Sequence, residues 1–241
     1  MLRLPTIQGL IRRRLLVNFR VEPDVMQAQL PARFRPKLHG GHAIAGICLI
    51  RLEEVRPKHA PKLLGMTSEN GAHRIAVRWV EDGQEREGVY IPRRDTSSLG
   101  NHLAGGRVFP GEHHLADFAI EDDGDRVEIR MRARDDGVSL HVKGRAADTL
   151  PAGSVFGSLA EASAFFEAGS VGYSETRDAG RLDGISLVTT DWRVGALAVD
   201  EVSSSYFEDA SRFPAGSVAF DCALVMRDLE HEWRSESDLT A

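Results

Sequence analysis

The sequence predicts a mainly β chain of α+β class with few helices, and three observations carry the prediction. Apolar and polar residues alternate with period two along several runs, which is how a half-buried strand reads. Asp-Gly pairs separate those runs, and both residue types tolerate the positive φ that tight hairpins need. Helical spacing joins a strong helix-start signal at a single place in the chain. With 241 residues, 42% of them hydrophobic, the chain is long enough to bury a substantial core. No linker or low-complexity segment divides it, so residues 1–241 are taken as a single domain.

Taken in order, an entry segment leads to Pro23 and Asp24, which suit the first turn of a short helix through Val25, Met26 and Leu30, stopped by Pro31. Gly40 and Gly41 turn the chain into an apolar strand from Ala43 to Ile50. Pro57, Pro61 and Gly65 mark residues 51–68 as a loop. The middle reads as an antiparallel meander. Ile75, Val77 and Trp79 alternate with polar neighbours, Asp82-Gly83 begins a turn, and Gly88 to Ile91 returns. Val127, Ile129 and Met131 form the next strand, and Val138, Leu140 and Val142 the one after, with Asp123-Gly124 and Asp136-Gly137 at the turns. Ser158-x-x-Glu161 opens a helix carrying Leu159, Ala162, Phe165 and Phe166, with Gly169 as its stop. Strands resume over Ile185–Val199 and Val218–Met226, and the polar residues after Trp233 read as a frayed tail. Pro-Ala-Gly-Ser-Val occurs at Pro151–Val155 and again at Pro214–Val218, two similar turns entering different elements.

The net charge of -6 provides no global basic field for nucleic acid. No apolar run approaches the ~20 residues of a membrane span, and Met1 to Leu10 lacks the continuous apolar stretch of a signal peptide. The expected location is cytoplasmic, with no membrane partner. Cys48 and Cys222 both sit in apolar strands and read as buried free thiols. Only four lysines are present, Lys37, Lys58, Lys62 and Lys143, which restricts any amine chemistry.

The common nucleotide and hydrolase signatures are missing: no Walker A, no dinucleotide fingerprint, no Gly-x-Ser-x-Gly and no HExxH. Glu112, His113 and His114, with His102 nearby, contain metal-ligating atoms. Adjacent strand residues point to opposite faces, however, so His113 and His114 cannot serve one metal if the segment is extended. Neither a metal nor another cofactor is expected. Imidazole titrates near neutral pH, so these histidines are candidates for moving protons.

Several blocks together resemble the acetoacetate decarboxylase-like superfamily, especially its bacterial branch of domains of unknown function. They are Val17–Pro23 running to Leu30-Pro31, then Ser68-Glu69-Asn70-Gly71, Ile75-Ala76-Val77, Gly88-Val89-Tyr90, Gly106-Arg107 and Phe109-Pro110, in the family's order and spacing. Tyr173-Ser174 and the run from Asp221 to Trp233 resemble the uncharacterised branch. The resemblance implies antiparallel curved sheets forming a cone- or barrel-like fold, and a homo-oligomer. In the decarboxylases Phe/Tyr-Pro is followed by two lysines, one of which forms an imine with a β-keto acid while the other depresses its pKa. Here Pro110 is followed by Gly111, Glu112, His113 and His114, so the resemblance extends to the fold but omits the imine-forming lysine. A lysine displaced to another strand, Lys143, is the remaining amine candidate. Glu69 matches the family's active-site carboxylate, and Arg12 or Arg13 falls where the family binds the substrate carboxylate, a task that suits the planar guanidinium. Arg107 reads as an ion-pair residue.

The resulting expectation is a lyase, hydratase or isomerase acting on a small keto or enol carboxylic acid without imine formation. Arg12 and Arg13 would hold the acid, and Glu69, Glu112, His113 and His114 would move protons. The alternatives are a non-catalytic domain binding an organic acid or apolar ligand, and a purely structural or interaction role.

Overall fold

The computed structural model describes residues 6–105, 110–176, 178 and 180–241. Gly106, Arg107 and Phe109 of the family-like blocks lie outside them.

Strand β1 (Ile7–Val21) is central, hydrogen-bonded on one side to β13 (Val218–Ser235) and on the other to β4 (His42–Pro57). Such a strand is covered on both faces, and the run Leu15–Phe19 is buried without interruption. Helix α1 (Pro23–Gln27) follows, with Pro23 in its first turn, and then the short strands β2 (Arg35–Pro36) and β3 (Leu38–His39). β4 pairs with β5 (Met66–Glu81), and Asp82 (φ 50°) and Gly83 (φ 73°) turn β5 into β6 (Gln84–Thr96). Helix α2 (Leu99–Ala104) precedes the meander of β7 (His113–Asp122), β8 (Arg126–Ala133) and β9 (Ser139–Ala147). Gly124 (φ 98°) and Asp136 (φ 54°) make its turns. Helix α3 (Leu159–Glu167) leads to β10 (Val171–Glu175), β11 (Arg181–Thr189), β12 (Gly195–Ser204), β13 and β14 (Leu239–Thr240).

Among the described residues fourteen strands join one sheet, and the pairings β5–β6 and β11–β13 curl it back on itself. Two apolar cores result. Odd-numbered residues such as Leu15, Ile47, Leu49 and Ile75 meet Ile129 and Met131 of the meander. On the other face of the same strands, Leu16, Cys48 and Ile50 meet Phe156, Ala162 and Phe166 of α3 and its approach.

Three sequence expectations need correction. The loop at 51–68 is shorter: β4 continues to Pro57 and β5 begins at Met66. Pro57 can end a strand because its missing N–H falls at the last ladder position, opposite Ile7. The tail after Trp233 is ordered, since Ser235 still pairs with Ile185 and buried Leu239 pairs with Leu182. The sheet is mixed rather than antiparallel throughout, because β6 runs parallel to both β7 and β10. The two Pro-Ala-Gly-Ser-Val segments do form similar turns, with Ser154 N donating to Pro151 O and Ser217 N to Pro214 O, each at 3.0 Å.

Candidate functional site

The arginine run of β1 sorts onto different surfaces. Ile11 and Arg13 face Leu52 and Arg51, adjacent residues of β4, so Arg12 is the extra residue of a β-bulge. The bulge pushes Arg12 into solvent, where it binds Glu53 at 2.9 Å and Asp228 at 2.6 Å. Arg13 turns inward on the meander side. It binds Glu69 at 2.7 Å and Asp122 at 3.3 Å and is only 2% exposed. Arg13, Arg51 and Glu69 stand in one row across β1, β4 and β5, and Arg51 holds the second Glu69 oxygen at 3.1 Å. Burial pushes the Glu69 carboxyl up from its ordinary range, against the pull of Arg13 and Arg51.

Arg14 points the opposite way, into a cavity of about 160 Å³ on the α3 side of the sheet. Ser68 and Asn70 of β5 line this cavity, whereas Glu69 between them does not. Apolar side chains such as Ile91, Phe166, Leu187 and Trp233 make most of the wall. Three guanidiniums interrupt it: Arg14, Arg74 and Arg94. None of the three pairs with a carboxylate among the described residues. Arg14 Nε donates to Cys48 Sγ at 3.2 Å. Arg74 is buried, donates to Asn18 Oδ1 through Nη2 and lies 4.7 Å from the Phe166 ring, while its Nε has no partner among the described residues. Arg94 Nε donates to Ser174 Oγ at 3.1 Å, and its Nη2 is sealed from solvent without a partner among the described residues. Burial pulls Arg74 and Arg94 down to about 10, still cationic at neutral pH. Asp95 is the only carboxylate in the cavity wall among the described residues, and Arg93 already occupies both its oxygens at 3.1 Å.

His113 lines the same cavity, opposite Arg94 in the parallel pairing of β6 and β7. Burial, and then the Arg94 charge, hold its imidazole down at about 3, so it is neutral in solution. Its Nδ1 lies 3.2 Å from the Gly111 carbonyl oxygen. That bond requires the proton on Nδ1 and leaves the Nε2 lone pair free to accept one. His114 faces the other side of β7 and binds Asp135 at 2.8 Å, as strand alternation requires. Glu112 is exposed at the start of the strand. No metal-binding cluster occurs among the described residues, nor any helix long and apolar enough to cross a membrane.

None of the four lysines lines this cavity. Lys143 lies on the meander with Glu128 at 3.4 Å. Lys37 lines a smaller void of about 30 Å³ that shares Arg14 and Arg74 with the main one, and Glu87 holds it at 3.0 Å. Cys48 and Cys222 are buried free thiols, and Cys48 is part of the cavity wall.

Of the sequence-predicted site, the cavity therefore gathers His113 but not Glu69, Arg12, Arg13, Glu112 or His114. Sequence reasoning missed Arg74 and Arg94. Their signal was present, because arginine within an apolar alternating strand such as Arg74-Ile75-Ala76-Val77 is costly to bury without a purpose.

A family model described as an uncharacterized conserved protein (COG2071), DUF2071, matches residues 10–217. No curated protein matches the sequence. Solved structures match over the whole chain at low identity. Acetoacetate decarboxylase from Legionella pneumophila is 11% identical with a TM-score of 0.62, covering 98% of this chain and 88% of that one. An acetoacetate decarboxylase-like enzyme from Sphingomonas wittichii RW1 is 12% identical with a TM-score of 0.60, covering 100% and 94%. The enduracididine biosynthesis enzyme MppR, complexed with pyruvate, is 13% identical with a TM-score of 0.58, covering 100% and 91%. At such identities the likeness establishes an acetoacetate decarboxylase-like fold.

Proposed function

The chain belongs to the DUF2071 family of uncharacterized conserved proteins, and on that premise we propose that its cavity binds a small organic carboxylate. The observation that carries this reading is Arg74, buried in the cavity wall with no carboxylate partner among the described residues. An isolated buried charge costs several kcal/mol, of order ~3–5 when one partner of a pair is missing. A bound carboxylate would return that energy, with the guanidinium fork giving orientation. The apolar remainder of the wall suits a short carbon skeleton. The pyruvate bound by MppR makes a keto acid the first ligand to try.

A second reading is favoured by one specific feature, the free Nε2 of neutral His113 in the same cavity. A carboxylate bound beside His113 would offset the Arg94 charge and raise the basicity of the imidazole, which could then remove a proton from the carbon beside the carbonyl of a keto or enol acid, the first step of an isomerase, hydratase or lyase. The lysine-free wall supports chemistry without an imine.

Calorimetric titration with pyruvate, acetoacetate and butyrate at pH 7.5 tests binding. The expected dissociation constants are micromolar to millimolar, weakened about tenfold or more, ~1.4 kcal/mol, by Arg14→Met. Absence of heat with all three and with short-chain diacids as well would sink the reading. Deuterium incorporation into bound keto acid, followed by NMR and abolished by His113→Gln, would establish proton transfer. Binding without exchange would leave a binding domain. A borohydride-trapped adduct on Lys37 or another lysine would replace both readings with imine chemistry.

A further inference from the structure

We propose that the ligand is a dicarboxylate, with one carboxylate held at Arg14 and Arg74 and the other at Arg94. This rests on the carboxylate reading above and specifies its substrate class.

The charge of the wall requires more than one anion. Arg14, Arg74 and Arg94 all line the cavity, and none has a carboxylate partner among the described residues. Asp95 is already held at both oxygens by Arg93, which it shares with Asp135 and which is outside the lining, and one carboxylate is in any case fewer than the three guanidiniums. His113 is neutral, its imidazole held at about 3 by burial. In the adjoining void Lys37 is already neutralised by Glu87 at 3.0 Å. A monocarboxylate would leave most of the positive charge desolvated and unpaired, the arrangement that buried sites avoid.

The geometry divides that charge into two ends. In the sheet register Arg14 stands opposite Ile50, which stands opposite Asn70, whereas Arg94 stands opposite Ala72 on the far side of β5. Arg14 and Arg94 are therefore three strands apart, β1 to β6, or roughly 14 Å between backbones at about 4.8 Å per strand. Arg74 occupies the next same-face position beyond Ala72, one strand from Arg94, but its side chain crosses toward β1, donating to Asn18 and lining the adjoining void together with Arg14. Arg94 is tied the other way, by Ser174 of β10. The rest of the wall is largely apolar, with Ile91, Phe166 and Leu187 among its side chains. One compact dianion such as a phosphate would engage one end and leave the other unpaired. A short chain with a carboxylate at each terminus engages both and places its carbon skeleton against the apolar wall.

The test compares succinate, glutarate and adipate with their own monomethyl esters, by calorimetry on the full chain at pH 7.5. Esterification removes one charge and preserves the skeleton, and the comparison needs no variant that could misfold. At least one diacid is expected to bind about tenfold more tightly than its monoester, and Arg94→Gln is expected to bring that ratio to within about twofold. If the monoesters bind and every diacid stays within twofold of its monoester, the two-carboxylate inference is overturned while the carboxylate reading stands. If neither series binds, both fail. A preference that survives Arg94→Gln in folded protein overturns the assignment of the second carboxylate.

Discussion

At Arg13 a desolvated positive charge faces a desolvated negative one, Glu69, at 2.7 Å, with side-chain exposures of 3% and 11%. Removing one member of such a pair leaves the other buried and uncompensated. Asp122 would keep Arg227 at 2.8 Å, but Glu69 would retain only the half-exposed Arg51. Arg13→Ala is therefore expected to lower unfolding stability by about 3–5 kcal/mol in urea titrations. Since Arg13 and Glu69 lie outside the cavity wall, the folded variant should bind carboxylates within about twofold of the parent. A large loss of affinity with little loss of stability would instead return Glu69 to the site, as family resemblance suggested. Arg12, Arg13 and Arg14 illustrate what side-chain identity alone leaves open. The run is legible as three cations, but which of them enters the cavity depends on the bulge at Arg12. That bulge arises from pairing with β4, a partner some forty residues away in sequence.

In β4, Gly46 occupies the ladder position between Asn18 of β1 and Arg74 of β5. A methyl group there would lie 2.2 Å from the Val17 carbonyl oxygen and 3.2 Å from the Asn18 Cα. Backbone cannot yield as a flexible side chain can, so β1 and β4 would have to separate where Arg74 crosses to Asn18. Gly46→Ala is expected to cost about 1–3 kcal/mol or more by urea denaturation, and to weaken carboxylate binding by displacing Arg74. Unchanged stability would show that the sheet relaxes there at little cost. The same scale explains which elements could be read in advance. The hairpins around Asp82-Gly83, Asp123-Gly124 and Asp136-Gly137 were legible because turn chemistry and alternation coincide. Helix α3 was legible through Ser158, whose side chain accepts from Glu161 N at 3.1 Å, although the Glu161 carboxylate accepts from Gly157 N rather than completing the reciprocal box. Strand β7 and helix α2 were not. β7 has one fully buried residue, Ala116, and α2 has none, so neither presents an apolar face with a detectable period. The parallel pairings of β6 were equally hidden, because parallel neighbours are joined by long connections rather than by a turn motif.

Across the whole molecule, closing one sheet over two cores buries imidazoles that the unfolded chain exposes. His73 lies 4.4 Å from the Tyr206 ring with neither ring nitrogen bonded among the described residues, and burial, reinforced by Arg93 and Arg212, holds it at about 3. His113 is held at about 3 and His231 at about 4, again chiefly by burial. Each is depressed below the ordinary value near 6.5, so between ~6.5 and the folded value the unfolded state binds the extra proton. Stability contributed by these neutral imidazoles is complete above about pH 6.5 and is lost as pH falls. Each contributes a slope of up to about 1.4 kcal/mol per pH unit. Glu69, Asp95 and Asp183 act in the opposite sense, because burial raises their carboxyls and the folded state then takes up protons as pH drops. Their effect begins nearer the carboxylate range, so the imidazoles dominate in the upper part of the window. Urea midpoints measured from pH 7 to pH 5 should therefore decline, with a slope equivalent to more than one proton. His73→Phe keeps the ring packed against Tyr206 and removes its titration, so it should reduce that slope by about one proton, ~1.4 kcal/mol per pH unit. A parent protein equally stable at pH 7 and pH 5 would mean that these histidines are hydrated in the folded state, and that the two cores are less closed than their burial implies.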